Sequence, residues 1–496
     1  MLDDMSIFRR TGSGNIMAAL GERACAPDRR DRTAVVDGDG WITHGELHAL
    51  AARTAGVLAE RGVEVGSRVV LRMPDGVGWI AAFLALGRLG AVAVLVNPGL
   101  APAELQAITA AVRPLLTIGT GSAADVDPAW LGRAAERAPE TPAAVLGPAA
   151  PLYVQFTSGT TGEPKGAVHR HGDLAHHHEA VGRRMLAIGP EDVSLSLSKL
   201  YFAYGFGNSL VYPLLSGSST VLLSGKPDAA TVAAAADRFG VTVLHGVPSA
   251  LAHLVAEADG SAFGRVRVAV SAGERLPPAL GEQARDLLGA PVLDELGSTE
   301  IGGAWCANTL DDDLPGTIGR PLYGYHIEVR DRAGCAVPDD VVGQLHVSGP
   351  TMFAGYLDRP DATYAVLRDG VLATRDTGVR RPDGRFVHTG RVDDIELVGG
   401  VNVAPAEIED LLNSHPAVRE AVVAAVPDER GATRLRAFVV PAAPGHDPDQ
   451  LGAELIGIVR GKLAPFKVPR SVEMVDGLPR THTGKVRRHV VRTGRW

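Results

Sequence analysis

Short apolar runs alternate with helix-spaced apolar patterns along the first part of the chain. Thr43 and Glu46 form a capping-box pattern at the start of one helical stretch, in which apolar residues recur every three or four positions. A second helix is predicted over residues 79–86. Strands are predicted over residues 33–36, 68–71, 92–95 and 152–156. This alternation of strand and helix predicts a mostly parallel sheet with helices on its faces.

The alternation resumes after an Ala/Pro-rich stretch, residues 101–150, which we interpret as partly helical and otherwise loop. The second block has predicted strands over residues 219–223, 241–244, 266–270 and 291–293, and helices over residues 229–239, 249–258 and 277–288. From about residue 316 short strands and glycine turns take over, which predicts a small antiparallel, β-barrel-like unit. After residue 390 a compact α+β pattern follows, with a helix near Pro405 and strands over residues 418–426, 434–440 and 472–475.

We therefore predict an α/β fold in two domains. Residues 1–390 would form a large N-terminal domain of two βα sheet subdomains plus the small β unit. Residues 391–496 would form a small α+β C-terminal domain, with the boundary at the sequence GRVDD. A length of 496 residues is too long for one ordinary core and agrees with this division.

Composition narrows the class of protein further. A hydrophobic content of 45% with 21% charged residues is typical of a soluble globular protein. The net charge of −8 gives no general reason to bind nucleic acid or an anionic membrane. No basic segment leads into an apolar run at the N-terminus, and no apolar stretch approaches the roughly 20 residues needed to span a bilayer. The cysteines, Cys25, Cys306 and Cys335, are far apart and odd in number, so we expect a cytoplasmic, reducing location and no zinc cluster.

A loop of glycines and hydroxyl residues follows the predicted strand over residues 152–156. The sequence is QFTSGTTGEPKGAVH, residues 155–169. Glycines let the backbone approach a ligand closely, turn amides form a concavity for anions, and Lys165 adds a mobile positive charge. The spacing is neither that of a Walker A loop nor GxGxxG, yet it predicts a polyphosphate ligand. The candidate residues are Thr157, Ser158, Gly159, Thr160, Thr161, Gly162 and Lys165.

Three further segments carry candidate chemistry. ELGSTEIGG, residues 295–303, puts Thr299 and Glu300 in a loop directly after a strand, where ligand sites of α/β sheets lie. A carboxylate beside a phosphate loop is the usual way to hold Mg²⁺. TRDTG offers Asp376 as an acceptor for ribose hydroxyls, and PRTHTGKVRR places Lys485 in a glycine-containing tail.

In this order and spacing, the segments resemble the acyl-adenylate-forming superfamily, which includes acyl- and aryl-CoA ligases, nonribosomal adenylation domains and luciferases. The resemblance runs from about residue 33 to residue 485. It implies that the glycine loop holds the β- and γ-phosphates of ATP until pyrophosphate leaves, that Thr299 contacts phosphate and carboxylate, and that Glu300 binds Mg²⁺. Lys485 would lie between the substrate carboxylate and the α-phosphate, carried on a mobile C-terminal domain.

The resemblance also assigns the rest of the nucleotide site. Asp376 would hold the ribose, and Arg391 would reach the ribose or a phosphate. Asp393 would be the hinge of the domain rotation, and Gly399 and Gly400 would face a tunnel for a phosphopantetheine arm. The residues that would border the adenine are Gly273, Glu274, Glu295, Leu296, Gly297 and Ser298.

The segment KLYFAYGFGNSLVYPLLSG, residues 199–217, indicates the acid. Its Tyr and Phe content fits a buried aromatic core equally well, but FAYGFGN is similar to the segment that lines the acid pocket of benzoate- and other aryl-CoA ligases. Those ligases commonly have a histidine where Gly303 stands and a branched apolar residue where Ala304 stands. A larger pocket for a substituted or extended aryl acid, of hydroxy-, amino- or cinnamate type, is therefore implied. The substrate-binding residues would be Phe202, Ala203, Tyr204, Gly205, Gly297, Gly303 and Ala304.

Two other departures concern the second half of the chain. Arg375 replaces the usual glycine before the ribose aspartate, and Leu397 stands where a variable lysine is common.

The histidines of HRHGDLAHHH, residues 169–178, are expected on the polar surface at the start of a helix. Three consecutive histidines cannot share one helix face, which disfavours a metal site.

The acceptor of the activated acid stays open at this point. The first alternative is the thiol of CoA, the second the phosphopantetheine of an acyl carrier protein, and the third a nitrogen or other non-thiol nucleophile. A different class of protein, a non-catalytic nucleotide-binding homologue, is disfavoured because the candidate chemical residues are retained. The sequence is also compatible with a homodimer.

Overall fold

The description of the fold rests on a computed structural model. It describes residues 7–8, 12–38, 40–157, 164–394, 396–398, 401–403, 405–427, 433–480, 486–493 and 496, without the side chains of residues 393, 397, 401, 402, 427 and 433. Contacts divide the chain into two compact units. The first is Met1–Gly273, Glu282–His326 and Val347–Leu372, and the second is Glu274–Gly281, Ile327–His346 and Ala373–Trp496.

The elements of the first part of the chain follow the predicted strand–helix alternation. In chain order they are α1 (Ile16–Ala24), β1 (Thr33–Asp37), β2 (Gly40–Thr43), α2 (His44–Glu60), β3 (Arg68–Arg72), α3 (Val77–Leu89), β4 (Val92–Leu95), α4 (Pro102–Val112), β5 (Leu116–Gly119), α5 (Pro128–Ala135), β6 (Pro151–Thr157), β7 (Lys165–Arg170) and α6 (His171–His177), which continues as a π-helical turn, His178–Met185.

The second block repeats the alternation. Its elements are β8 (Val193–Ser196), α7 (Ala203–Phe206) continued by a π-helical turn Gly207–Val211, α8 (Tyr212–Ser216), β9 (Ser219–Leu222), α9 (Ala229–Phe239), β10 (Val243–Gly246), α10 (Pro248–Glu257), a 3₁₀ turn Gly260–Phe263, β11 (Val268–Ser271), α11 (Pro278–Leu288), β12 (Val292–Ser298), β13 (Gly303–Ala307) and β14 (Arg320–Pro321).

The remaining elements are shorter and mostly antiparallel. They are β15 (His326–Arg330), β16 (Gly343–Ser348), α12 (Pro360–Val366), β17 (Leu367–Arg368), β18 (Val371–Arg380), β19 (Phe386–Arg391), a 3₁₀ turn Val392–Asp394, β20 (Glu396–Val398), β21 (Val401–Val403), α13 (Pro405–Asn413), β22 (Val418–Pro427), β23 (Thr433–Pro441), α14 (Pro448–Lys462), a 3₁₀ turn Pro465–Lys467, β24 (Ser471–Met474) and α15 (Arg488–Val491).

Two sheets built from parallel strands organise the first unit. One has the order β5-β3-β4-β6-β7, and the other the order β14-β13-β12-β11-β10-β8-β9-β1-β2. Among the described residues, β7 is the one strand of the first sheet that runs antiparallel to its neighbour. In the second sheet β2 at one edge, and β13 and β14 at the other end, pair antiparallel. The predicted pair of βα sheet subdomains is confirmed, and the fold is α/β with a large N-terminal part of sheets and a small C-terminal domain.

The start of α2 was correctly predicted from its capping box. The Thr43 hydroxyl accepts a hydrogen bond from the Glu46 backbone at 3.2 Å, and the Glu46 carboxylate accepts one from the Thr43 backbone at 3.0 Å. These two bonds satisfy backbone donors that the first turn of a helix otherwise leaves unpaired. The Ala/Pro-rich stretch, residues 101–150, was predicted as helix and loop, but it also contains the buried strand β5, which was not predicted.

The C-terminal α+β pattern forms the core of the second unit. Strands β22, β23 and β24 make one sheet, and apolar residues of α13 and α14, including Ile408 and Leu455, pack with it in one buried cluster. Arg488 donates to both carboxylate oxygens of Glu409 at 2.7 Å. Such a bidentate pair is a strong, well-oriented form of ion pair. None of the helices in the described ranges is long and apolar enough to cross a membrane.

Candidate active site

The loop that carries Thr299 and Glu300 joins β12 to β13. Strand β12 runs parallel to β11, and β12 and β13 form an antiparallel hairpin in which Ser298 faces Gly303. The loop therefore begins at the carboxyl end of a parallel strand, as the sequence predicted. Such an edge is where α/β sheets bind ligands.

Three successive carbonyls of this loop accept hydrogen bonds from two parts of the first unit, His169 and the segment of residues 351–353. His169 Nε2 donates to the Thr299 carbonyl at 2.7 Å, the Phe353 backbone to the Glu300 carbonyl at 2.9 Å, and the Thr351 hydroxyl to the Ile301 carbonyl at 3.0 Å. A carbonyl only accepts, so Nε2 of His169 must carry a proton. Buried backbone acceptors are expensive to leave unpaired, so these bonds fix the path of the loop.

Glu300 is also held through its side chain. The Tyr356 hydroxyl donates to Glu300 Oε1 at 2.6 Å. Tyr356 lies in a segment, residues 353–357, that pairs with β7, and its ring centroid is 5.5 Å from Lys165 Nζ. One tyrosine thus contacts the candidate metal ligand and the candidate phosphate-binding lysine. Sequence reasoning missed Tyr356, since a single tyrosine in GYLDRP gives no sign of a partner 56 residues away.

Only the two ends of the predicted phosphate loop are described. Thr157 ends β6 and faces Lys165, the first residue of β7, across an antiparallel hairpin. The strand Lys165–Arg170 was not predicted. The other candidates of this loop, Ser158, Gly159, Thr160, Thr161 and Gly162, lie outside the described residues.

The segment FAYGFGN, residues 202–208, which is predicted to line the acid pocket, is called the acid wall from here on. It forms the short helix α7 and the start of the π-helical turn that follows, and its two halves differ in burial. Phe206 is buried and packs against Phe83 and Tyr153, with ring centroids 5.1 and 4.8 Å apart. Phe202, Ala203 and Tyr204 are only half-buried. The Phe206 half therefore belongs to the aromatic core, whereas the other half borders more open space.

Tyr204 and Gly205 fix the position of this helix. The Tyr204 hydroxyl donates to the Val270 carbonyl of β11 at 2.8 Å. A Cβ atom on Gly205 would lie 2.2 Å from the Lys199 carbonyl oxygen and 2.4 Å from that of Ser198. Real Cβ atoms do not approach backbone oxygens so closely, so this position requires glycine.

The histidine-rich segment is buried, so the prediction of a polar surface is wrong. His169, His171 and His177 are exposed by 2% or less. His169 stacks on Tyr153 with centroids 4.9 Å apart, and its Nδ1 lies 3.4 Å from Asp173 Oδ2. Burial lowers the pKa of both His171 and His177 to about 4. Polarity alone predicted exposure because the aromatic and carboxylate partners of these rings are not adjacent in sequence.

The residues expected to border the adenine fall into two groups. Gly273, Glu295, Leu296, Gly297 and Ser298 belong to the first unit, and Glu274 belongs to the second unit, where its carboxylate lies 3.9 Å from Arg480. Glu295 is 7% exposed, and burial raises the pKa of its carboxyl to about 8. The group is therefore neutral near pH 7. Burial, and secondarily the charge of Glu295 when it is ionised, raises the pKa of the Tyr204 and Tyr212 hydroxyls.

Asp376 and Arg391 meet in the second unit. They face each other across the β18–β19 hairpin, and Arg391 Nη1 lies 3.3 Å from Asp376 Oδ1. His388 Nε2 lies at the same distance from that oxygen. Arg375, the departure from the usual glycine, continues β18 without a break. His388 was missed because residues three apart on a regular strand point to opposite faces, and the register shift between Thr377 and Gly378 in this hairpin is not visible in the sequence.

Four further candidates of the C-terminal part are only partly described. Asp393 lies in the 3₁₀ turn Val392–Asp394, and nothing is described of its side chain. Gly399, Gly400 and Lys485 lie outside the described residues. Their roles stay predictions.

The carboxylate oxygens of Glu300 are ligands of the kind that a hard divalent cation prefers. The Tyr356 hydroxyl donates a hydrogen bond to Oε1 of Glu300 and so fixes the orientation of the Glu300 carboxylate. Carboxylate oxygen is the ligand that Mg²⁺ prefers, together with oxygens of a bound phosphate. The Glu300 carboxylate is therefore of the ligand type that suits a magnesium ion.

Comparisons with known proteins extend over nearly the whole chain. Residues 22–357 match the family described as AMP-binding enzyme, and residues 407–485 match the AMP-binding enzyme C-terminal domain. The chain is 37% identical over 490 residues to p-hydroxybenzoic acid–AMP ligase FadD22 of Mycobacterium tuberculosis, covering 97% of this chain and 69% of that protein.

Solved structures agree with these matches. A benzoate CoA ligase from Burkholderia xenovorans LB400 superimposes with a TM-score of 0.89 at 33% identity, covering 96% of this chain and 99% of that one. The anthranilate CoA ligase AuaEII in complex with anthranoyl-AMP gives a TM-score of 0.91 at 29% identity, covering 96% of both chains. The motifs, the fold and these matches together confirm the resemblance found in the sequence: the chain belongs to the AMP-binding enzyme family.

Proposed function

We propose that this protein activates an aromatic carboxylic acid with ATP, forming an aryl-AMP, and transfers the aryl group to the thiol of CoA. The observation that carries the proposal is the packing of the acid wall beside the Thr299–Glu300 loop. The Tyr212 hydroxyl lies 2.9 Å from the position of a Cβ on Gly207, in the FAYGFGN segment, and 3.6 Å from that of a Cβ on Gly303. Relatives named as p-hydroxybenzoic acid–AMP ligase and as benzoate and anthranilate CoA ligases support the same substrate class.

The chemistry requires two anions to meet. An acid carboxylate must approach the α-phosphate of ATP, and the resulting phosphoryl centre carries additional negative charge. Bound Mg²⁺ would supply charge neutralisation at the phosphates. Glu300 would hold that ion, Tyr356 keeps the carboxylate of Glu300 oriented, and Lys165 would contact the departing phosphates. Thr299 would position the substrate carboxylate.

The acid is proposed to carry a substituent on its ring. Gly303 and Ala304 are smaller than the histidine and branched residue of benzoate-type ligases, although part of the space beside Gly303 is taken by His177, whose Nδ1 lies 3.1 Å from the position of a Cβ on Gly303. Hydroxy-, amino- and cinnamate-type acids all fit this expectation. If benzoate supported ATP–pyrophosphate exchange far better than every bulkier aryl acid, the larger pocket would be refuted.

The acceptor has one alternative with a specific observation in its favour. FadD22 is named as an acid–AMP ligase rather than a CoA ligase, and 31% of its length lies outside the match. Transfer to the phosphopantetheine of an acyl carrier protein is therefore the second candidate. In either case Gly399 and Gly400 would face the phosphopantetheine arm.

The C-terminal domain, residues 391–496, is proposed to move between the two half-reactions. Lys485 would engage the α-phosphate during adenylation and withdraw before thiol attack, with Asp393 as the hinge. A cytoplasmic location suits this chemistry, and among the described residues Cys25, Cys306 and Cys335 are all free thiols.

The first experiment is ATP–pyrophosphate exchange across a panel of benzoate, its hydroxy and amino derivatives, cinnamates, and an aliphatic acid as control. Mass spectrometry after addition of CoA, or of a carrier protein with its phosphopantetheine, then identifies the acceptor. Exchange with no acid would refute the ligase proposal. Exchange with no thioester would favour the non-thiol alternative.

A second experiment separates the two half-reactions. Lys485→Ala should abolish adenylation yet retain thioester formation from supplied aryl-AMP. Lys462→Ala, at an exposed lysine of α14, is the matched control and should affect neither step. Equal loss of both steps in Lys485→Ala would contradict the domain rotation.

A further inference from the structure

His177, the last residue of α6, packs its imidazole ring on the backbone of Gly302 and Gly303. A Cβ on Gly302 would lie 2.9 Å from Nε2 of this ring, and a Cβ on Gly303 would lie 3.1 Å from its Nδ1. Gly302 also has a φ of +84°, which L side chains rarely adopt. The ring of His177 thus occupies the space that a side chain at either position would need.

Two of the side chains around these glycines are buried with unpaired polar atoms. Among the described residues, neither the ring nitrogens of His177 nor the Tyr153 hydroxyl has a partner with good hydrogen-bond geometry, although the Ile301 backbone lies near enough to His177 to affect its pKa. His177 is 2% exposed and Tyr153 is fully buried. Tyr153 Oη lies 3.0 Å from the same Gly302 Cβ position that His177 Nε2 approaches to 2.9 Å, so one small polar group could reach both. Buried polar groups in native proteins nearly always have partners. What points to a ligand here is that the unpaired atoms of His177 and Tyr153 converge on one position at Gly302.

The cluster lies beside the acid wall. The Tyr212 hydroxyl is close to both Gly303 and Gly207, and Gly207 continues the FAYGFGN helix. Gly303 pairs with Ser298 next to Thr299 and Glu300. A ring substituent on an acid bound along the wall would therefore extend toward His177.

The protonation state of His177 defines what it can bind. Burial lowers its pKa to about 4, with the carboxylate of Asp173 opposing this effect. A neutral imidazole has one N–H donor and one bare nitrogen acceptor. Tyr153 adds a hydroxyl donor. A phenolic hydroxyl complements this set because it can accept from one group and donate to the other, whereas an aromatic amine mainly donates.

We propose that His177 is a specificity-determining residue, which hydrogen-bonds a hydroxyl substituent on the ring of the acid and selects hydroxybenzoates over benzoate. This inference rests on the proposed function, since it assumes that an aryl acid occupies the wall. In this proposal the imidazole comes from the helix α6, whereas the histidine common in benzoate-type ligases would come from the strand that begins at Gly303.

The test compares ratios within each variant. ATP–pyrophosphate exchange is measured with benzoate and with 2-, 3- and 4-hydroxybenzoate for wild type, His177→Leu and His177→Asn. In His177→Leu the preference of kcat/KM for the best hydroxybenzoate over benzoate should fall by about 10- to 100-fold, as expected for loss of a buried hydrogen bond to the substrate. His177→Asn retains a donor and an acceptor and should recover part of the preference. Because each ratio is measured in one preparation, partial unfolding cancels.

His48→Leu is the control, since His48 is a buried histidine of α2 outside the proposed site. It should leave the ratio unchanged. A ratio in His177→Leu within about twofold of wild type would overturn the inference, as would a wild-type preference for benzoate.

Calorimetric binding of the same acids, without ATP, distinguishes this failure from failure of the proposed function. Binding that favours hydroxybenzoates in wild type and loses this preference in His177→Leu supports the role of His177 even if no acid supports exchange. Absence of exchange would then refute only the ligase proposal. Equal binding of both acid types by wild type and variant would refute the role of His177.

Discussion

The hydrogen bond between Tyr356 and Glu300 gives a sharp test of how the active site is held. Tyr356→Phe removes one hydroxyl and keeps the ring that lies 5.5 Å from Lys165 Nζ. Hydrogen bonds to charged groups contribute about 1.5–3 kcal/mol, and each 1.36 kcal/mol of transition-state stabilisation is about tenfold in rate. We therefore expect ATP–pyrophosphate exchange to fall by about one to two orders of magnitude.

The loss should have a specific signature. Because Glu300 would bind Mg²⁺, the apparent affinity for Mg²⁺ should fall together with the rate. Tyr356→Leu also removes the ring and should additionally raise the KM for ATP, since Lys165 loses its aromatic neighbour. The melting temperature of Tyr356→Phe should change by only a few degrees, because the ring still packs against Phe353 with centroids 4.9 Å apart.

Tyr364→Phe is a matched control. Tyr364 is 66% exposed and its ring stacks with the guanidinium of Arg368, so its hydroxyl should be dispensable. Exchange by Tyr356→Phe within about twofold of wild type would refute the argument that the phenol orients Glu300. So would a rate loss that merely follows a loss of folded protein.

Three other predictions concern pH, loop anchoring and helix capping. Glu295→Gln should remove a pH dependence of stability, because burial raises the pKa of Glu295 from 4.5 to about 8. Between these pH values the free energy of unfolding of wild type should fall by up to about 1.4 kcal/mol per pH unit, with no further fall above pH 8. The same change of melting temperature from pH 5 to pH 9 in both proteins would contradict this. His169→Phe keeps an aromatic ring but leaves the Thr299 carbonyl without its donor, so exchange should fall about tenfold or more; an unchanged exchange rate in folded protein would be the contrary result. Thr43→Ala removes the hydroxyl half of the capping box with Glu46 and should lower the free energy of unfolding by about 1 kcal/mol. The expected result is a lower melting temperature with an unchanged kcat.

Local pattern was sufficient for most of the fold. The strand Val92–Leu95 and the helix Ala229–Phe239 have the predicted bounds. A short apolar run indicates a buried strand, and apolar residues at helical spacing indicate a helix with one buried face. The strand Leu116–Gly119 was missed because it is a four-residue run inside an Ala/Pro-rich stretch. The strand Lys165–Arg170 was missed because half of its six residues are polar or charged and it follows directly on the glycine loop, so its pairing with β6 is what identifies it.

The site was predictable where motifs are contiguous and unpredictable where partners are distant. Thr299 and Glu300 lie in the expected loop after a strand. Tyr356 and His169 support that loop from 56 and 130 residues away. The burial of the histidines follows from such contacts, and amino-acid polarity pointed in the wrong direction. Tertiary contacts of this kind leave no period or spacing in one sequence.

The anchoring of the Thr299–Ile301 loop through its carbonyls has a consequence for how the enzyme can diversify. All three anchors bind main-chain oxygens, which every amino acid possesses. The residues just beyond the loop, Gly303 and Ala304, can therefore be exchanged without moving the Thr299–Glu300 backbone, provided that the His177 ring, which fills the space beside Gly303, is made smaller at the same time. The scaffold separates the geometry of adenylation from the choice of acid. Libraries restricted to positions 177, 303 and 304 should accordingly yield variants with new acids and an unchanged dependence on ATP.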